Sequence, residues 1–243
     1  MHTLGVDLAS SAERTATCVI EWADSRANIR HLVVGADDDA ITSLAGDADA
    51  VGIDAPFGWP TPFVELLAGK SRPRTWTHER RDELRFRATD HHVRRETQRW
   101  PLSVSSDRIG VVAMRCHQLL QRLRLANPAA RERTLEVYPA AVLRRWGLVA
   151  VSYKGAERRA ALDVLVGQLL SVATWLDVSD EQGRLLRRSD HALDAMISSL
   201  VARAARLGLA DATPDDPRTQ SEGWIVLPKD CSLSVLAKGA LGA

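Results

Sequence analysis

Short apolar runs carrying an aspartate alternate along this chain with longer stretches of helical spacing. Residues 3–9 (Thr-Leu-Gly-Val-Asp-Leu-Ala) read as a buried strand, and residues 14–22, rich in β-branched types, as its hairpin partner. A third strand is expected over 27–35, closing at Gly35. A short helix over 38–45 follows, capped by Asp37 or Asp38. Residues 51–54 form the fourth strand, stopped by Pro56. Periodicity then weakens through 57–105, a span too long for a structureless loop, so it reads as a functional, partly helical insertion. Helical spacing returns at Ile109, Val112, Ala113, Cys116, Leu119, Leu120 and Leu123, after a start capped by Ser106. Asn127-Pro128 ends that helix. A fifth strand over 134–138 is closed by Pro139, and a short helix over 140–146 follows it. A long helix spans 156–176, with Leu162, Leu165, Leu169, Val172 and Leu176 inward. The last helix covers 190–207 and stops at Gly208, and 223–228 reads as a short edge strand ended by Pro228.

Three meander strands, a crossover helix and a returning strand predict an α/β sheet. The domain organisation expected is one domain over 1–228, with the insertion at about 57–108, and a C-terminal tail over 229–243 that frays from Lys238. The length of 243 residues suits one large domain. With 45% apolar and 26% charged residues, an ordinary core is expected. No apolar run is long enough to span a bilayer, and a strand starts at once where a secretory signal would stand. Cys18, Cys116 and Cys231 are widely spaced and odd in number, fitting neither a disulfide framework nor a zinc site. A reducing, cytoplasmic location is the expectation. The sequence leaves the oligomeric state open.

The candidate chemistry lies in the acids. Asp7 and Asp54 each sit at the exit of a strand that is apolar throughout, where strand ends border the ligand crevice of an open α/β sheet. A carboxylate there is costly to bury unless it is hydrogen-bonded or meets a cation. Asp190 and Asp194, four apart, share one face of the last helix, and His191 stands three before Asp194. Ala192, Leu193, Ala195, Met196 and Ile197 make the neighbourhood of Asp194 a buried one. Converging carboxylates repel each other, and a divalent cation relieves the repulsion. The chain therefore reads as a metal-assisted phosphodiester enzyme using Mg²⁺ or Mn²⁺. Glu136, within the fifth strand, is a further candidate ligand, and Lys154 before the long helix could touch phosphate. Each has a plainer reading: Asp7 and Asp54 as turn residues, Asp190 as a helix-start acid, Glu136 as an outward strand residue, and Lys154 as a solvated lysine.

Net charge is only +1, so no global field advertises a polyanionic partner. Locally the picture changes. Between Lys70 and Arg108 stand Arg72, Arg74, Arg80, Arg81, Arg85, Arg87, Arg94, Arg95 and Arg99, interleaved with Trp76, Phe86 and Trp100. Arginine with aromatic residues is what a single-stranded nucleic acid would meet, and Arg85, Arg87, Thr89 and Asp90 are candidate substrate contacts. The plainer reading is a solvated helix laced with ion pairs, such as Asp82 with Arg81 or Arg85. His78, His91 and His92 have no cysteine partners, which argues against zinc.

Four segments together carry a resemblance: Gly5-Val6-Asp7-Leu8-Ala9, Gly52-Ile53-Asp54-Ala55-Pro56-Phe57-Gly58, Glu136-Val137-Tyr138-Pro139-Ala140 and Asp190-His191-Ala192-Leu193-Asp194-Ala195. In order and spacing they resemble a family of bacterial and archaeal proteins of unknown function, described as predicted nucleases of the ribonuclease H-like fold. Gly223-Trp224-Ile225-Val226-Leu227-Pro228 looks like the family's closing strand. The resemblance implies a five-stranded mixed sheet, three strands antiparallel and two parallel, flanked by helices. It implies acids on the first strand, the fourth strand and the last helix, hence Asp7, Asp54 and Asp194, with Asp190 beside them. The spacing from His191 to Asp194 is similar to that in Holliday-junction resolvases. Many ribonuclease H-like enzymes have glutamate where this chain has the shorter Asp54, and the arginine-rich insertion is no part of the minimal fold.

Three functions compete on these grounds: a metal-dependent nuclease, an actin-like nucleotide phosphotransferase, and a binding module of the same fold without catalysis. The chain is short for the two halves of an actin-like protein and has no G-x-x-x-x-G-K pattern.

Overall fold

Alternation on the first strand decides how the layers stack. Leu4 and Val6 point to one face, Thr3, Gly5 and Asp7 to the other. The computed structural model, which describes residues 1–105, 107–148 and 152–238, covers both faces with helices. In chain order the elements are β1 (His2–Asp7), β2 (Ala16–Trp22), β3 (Ala27–Val34), α1 (Asp38–Asp47), β4 (Ala50–Asp54), α2 (Thr61–Leu67), α3 (His78–Arg85), α4 (Ala88–Thr97) and α5 (Asp107–Ala126). They continue with α6 (Pro128–Glu132), β5 (Thr134–Glu136), α7 (Pro139–Arg145), α8 (Arg159–Val172), β6 (Leu176–Asp177), α9 (Asp180–Leu186), α10 (Asp190–Arg206) and α11 (Arg218–Glu222).

The sheet runs in the order β5-β4-β1-β2-β3-β6. β1, β2 and β3 form an antiparallel meander, β4 lies parallel to β1, and β5 lies parallel to β4. The fold is thus α/β with a mixed six-stranded sheet, one strand more than expected. The extra strand, β6, has two residues and pairs parallel with β3 through Ala27 and Leu176. Its first residue, Leu176, is the last of the span read as a single helix over 156–176. That helix instead begins at Arg159 and ends at Val172, and Leu176 goes into the sheet. Two residues are too few to show a strand period. The expected edge strand over 223–228 is reduced to single bridges, Ile225 beside Glu136 and Pro228 beside Ala210.

Leu4 and Val6 join Val51, Ile53, Ile41, Cys116, Leu119 and Leu123 in a core between the sheet and α1 and α5. The opposite face packs Cys18, Ile20 and Ile29 against Leu193, Met196, Leu200, Leu165 and Leu169 of α10 and α8. The segment expected as a tail also contributes. Leu233, Leu236 and Ala237 are buried there, and Trp146 Nε1 and Trp175 Nε1 donate to Ser232 Oγ and the Leu233 carbonyl. Burial of a few side chains, invisible to polarity alone, thus carries the core to residue 237. Ser106, the expected cap of α5, and residues 239–243 lie outside the described residues.

Gly5 and Gly52 set how close α10 comes. They are paired in register on β1 and β4. A Cβ on Gly5 would lie 1.9 Å from the Ala195 carbonyl oxygen, and one on Gly52 2.3 Å from that of Ser198. The α10 backbone therefore rests directly on two strands, as only glycine permits. Thr3 Oγ1, on the same face, lies 2.7 Å from Ser199 Oγ and fixes the register of the contact. Among the described residues no helix is long and apolar enough to cross a membrane.

Candidate metal centre

Asp7 and Asp54 stand two residues beyond these glycines, so the alternation of the strands turns both toward α10. They are paired neighbours in the parallel ladder. Asp194 stands on α10 beside Ala195, whose carbonyl the helix lays over Gly5. One carboxylate oxygen from each of Asp7, Asp54 and Asp194 lies within 4.8 Å of the others. Asp7 and Asp194 are buried and Asp54 is largely so.

A lysine, a histidine and a phenol meet these acids. Lys154 Nζ is 2.6 Å from Asp194 Oδ2 and 3.8 Å from Asp54 Oδ2. Tyr153 donates its hydroxyl to Asp194 Oδ1 at 2.7 Å. His191 Nδ1 is 2.5 Å from Asp7 Oδ2. Asp190, in the first turn of α10, accepts from the Gly155 amide at 3.2 Å and so clamps the same loop without joining the three acids. Ser189 is the cap of that helix. Gly155 needs to be glycine, since its φ is +105°.

Burial holds the Asp54 carboxyl well above its usual range, with the Asp7 and Asp194 charges adding to the shift and Lys154 opposing it. Asp194 is pushed up to about 6, again first by burial, against the pull of Lys154. Burial works against the charge on Lys154, but Asp194 and Asp54 outweigh it and hold the ammonium protonated. The hydrogen bond to Asp7 raises His191. Three acids crowded out of water, with the Lys154 ammonium beside two of them, form a site primed for positive charge.

The family model described as "Protein of unknown function (DUF429)" matches residues 5–219, a span that includes every residue of this cluster. The chain belongs to the DUF429 family. No curated protein and no solved structure matches it.

In this DUF429 chain Asp7 and Asp54 open into a cleft of about 390 Å³, while Asp194 is buried and no part of its lining. Arg14, Lys154 and His191 line it beside the acids, while Pro101, Leu102, Ile109 and Val112 form an apolar wall. Glu136 and Arg87 lie in its lining too, but they hold each other. Arg87 Nη2 is 2.8 Å from Glu136 Oε1, and Nη1 donates to Glu136 Oε2 and to the Glu222 carbonyl, each at 3.0 Å. Asp90 receives Arg87 Nη2 at 3.0 Å and the Arg87 amide at 2.9 Å. Glu136 also accepts from the Phe57 amide at 3.0 Å, so it is engaged away from the three aspartates. Thr89 accepts from the Ile225 amide at 2.8 Å. Arg87, Thr89 and Asp90 are all buried and tie the insertion to the sheet edge. Arg85 alone of the insertion candidates is exposed, paired with Asp82 at 3.7 Å and lying over the Phe86 ring.

The residues expected to converge divide accordingly. Asp7, Asp54, Asp194, His191 and Lys154 come together, Asp190 stands one loop away, and Glu136, Arg87, Thr89 and Asp90 form a separate buried network. Sequence reasoning missed Tyr153 and Glu222. Glu222 accepts from the Thr61 and Ala88 amides at 2.9 and 2.8 Å, capping two insertion helices at once. Tyr153 carried one usable signal: a lone tyrosine next to the lysine that precedes a helix.

Proposed function

We propose that the protein is a divalent-metal-dependent hydrolase of phosphodiester bonds in nucleic acid, built on a ribonuclease H-like framework. The single observation that carries this reading is the convergence of Asp7, Asp54 and Asp194 from two adjacent parallel strands and one helix. The placement agrees with the first-strand, fourth-strand and last-helix acids that the resemblance implies. An antiparallel meander flanked by two parallel strands agrees with it as well.

The donor set fits Mg²⁺ or Mn²⁺. All three donors are hard carboxylate oxygens, with no thiolate among them, and magnesium keeps part of its water when held by few carboxylates. Asp7, Asp54 and Asp194 would hold the ion, which when bound supplies charge stabilisation at the phosphoryl group and a more acidic attacking water. The chain's own groups do the rest. His191 and Tyr153 fix the rotamers of Asp7 and Asp194. Lys154 and Arg14 bring positive charge to the side of the cleft where a phosphate would lie. Leu102, Ile109 and Val112 give the cleft an apolar lining.

Purified protein with Mn²⁺ and end-labelled single- and double-stranded DNA and RNA tests the reading. Cleavage that is lost with chelator and in Asp7→Asn is the expected result. Absence of cleavage on every substrate, or cleavage unchanged in Asp7→Asn, overturns it.

One observation favours a second reading, a binding module of this fold without catalysis. The Lys154 ammonium already neutralises Asp194 and Asp54, which would make a metal unnecessary. Calorimetry separates the two: an inert module takes up no Mg²⁺, while a working site does and loses it in Asp7→Asn.

A further inference from the structure

Lys154 reaches into the acidic cluster. Its ammonium contacts two of the three carboxylates, and its distance to Asp194 Oδ2 is that of a charge-assisted hydrogen bond. The other Asp194 oxygen is held by Tyr153, so both oxygens of that carboxylate are engaged. A divalent ion and this ammonium therefore compete for the same oxygens. The side chain that blocks the ion has somewhere to go. It is half-exposed, lines the open cleft, and is followed by Gly155, whose φ is positive.

From this competition we infer that Lys154 is a resident counter-ion that leaves the acids when metal enters and then holds the substrate's phosphate. This rests on the metal reading given above and adds to it a coupling between ligands. An ammonium pulled from Asp194 gives up a charge-assisted hydrogen bond. A phosphate in the cleft offers it a new partner, so metal and phosphate each favour the binding of the other, by the same factor in both directions. Metal alone binds weakly, because it must displace the lysine unaided. The wild-type site thus stays neutralised, with only weak affinity for cations, until an anionic substrate arrives.

The test is calorimetric and needs no turnover. Mg²⁺ is titrated into the full chain and into Lys154→Met, each with and without low-millimolar inorganic phosphate. For the wild type, phosphate should tighten Mg²⁺ binding several-fold. In Lys154→Met, Mg²⁺ alone should bind at least about tenfold more tightly than in the wild type, as loss of a close charge competitor requires. The phosphate effect should then disappear. Lys154→Gln, which keeps a donor near Asp194 without the charge, should behave the same way and serves if the methionine variant fails to fold. Equal Mg²⁺ affinity in wild type and both variants overturns the lysine's role while leaving the metal site standing. No Mg²⁺ binding to any of the proteins, with phosphate or without, overturns the metal reading and this inference together.

Discussion

The two sides of the cleft are held by opposite kinds of contact. Behind the aspartates, the α10 backbone lies on the backbones of β1 and β4 at Gly5 and Gly52. Facing them, the insertion is fastened through charge: Arg87 between Asp90 and Glu136, with Glu222 capping Thr61 and Ala88. The backbone contact has no titratable part, so it fixes the acids independently of pH and salt. The ionic seam is directional and fully satisfied, and it becomes a liability if one member is lost. A rigid acid-bearing floor is thus paired with a wall whose attachment depends on protonation.

The largest effect expected from this contrast lies in the ionic seam. Arg87→Met leaves Glu136 and Asp90 buried without their cation and should cost about 3–5 kcal/mol in denaturant unfolding. The deficit should depend on pH. Burial already holds the Glu136 pKa above its usual value even with Arg87 present, and removing the arginine raises it further. A carboxyl whose folded pKa exceeds its unfolded one favours the fold at low pH and loses that contribution as pH rises through the folded value. The variant should therefore be closest to wild type near pH 5 and fall away toward pH 8. A deficit independent of pH would mean that the seam's charges are not what fastens the insertion.

The backbone side should respond differently. Gly5→Ala puts a methyl group onto the Ala195 carbonyl, and the helix must lift. The cost should be about 3 kcal/mol, the upper part of the overpacking range, because backbone cannot turn aside as a side chain can. Mg²⁺ binding by calorimetry should be lost as Asp194 is carried away from Asp7. Retained Mg²⁺ affinity in a folded Gly5→Ala protein would separate the triad's geometry from the glycine seat.

Next in size is the effect of protons on the metal. Burial holds Asp194 at about 6 and Asp54 well above its usual range. Both protons must leave when the carboxylates take up a cation. Apparent Mg²⁺ affinity should therefore fall at least about tenfold per pH unit below about 6. Titrations at pH 5 and pH 7.5 check this, and equal affinity at both would place metal, if any, elsewhere.

The same contrast explains what the sequence made legible. Asp7 and Asp54 were readable because an acid closing an apolar run has few inexpensive explanations, and the glycine two residues earlier stands in both runs. Asp194 was readable from its apolar neighbours on α10. The meander and the parallel return followed from strand patterns separated by a crossover. The insertion resisted such reading. A buried Arg87 and an exposed Arg85 look alike in sequence, and what buries Arg87 includes the main chain of Glu222, 135 positions away. Lys154 and Tyr153 lie on a loop without periodicity, so their approach to Asp194 is a product of tertiary packing alone. The two-residue β6 is formed by its neighbour, with no pattern of its own.

The smallest effect decides whether the insertion meets nucleic acid at all. Most of its exposed arginines already have acidic neighbours: Arg74 with Glu83, Arg81 and Arg85 with Asp82, Arg95 with Glu96. Exposed pairs of this kind contribute within about 1 kcal/mol, so Arg85→Ala should leave thermal stability almost unchanged. Its value is as a probe of partner charge. If Arg85, lying over the Phe86 ring that stacks on Trp100, neutralises one phosphate, the slope of log affinity against log salt should shrink by about 0.7 for a single-stranded oligonucleotide. If Asp82 is its only partner, the slope stays as it is. A wall fastened by Arg87 and unaffected by Arg85→Ala would be a wall that only shapes the cleft, leaving substrate recognition to Lys154 and Arg14 on the acid side.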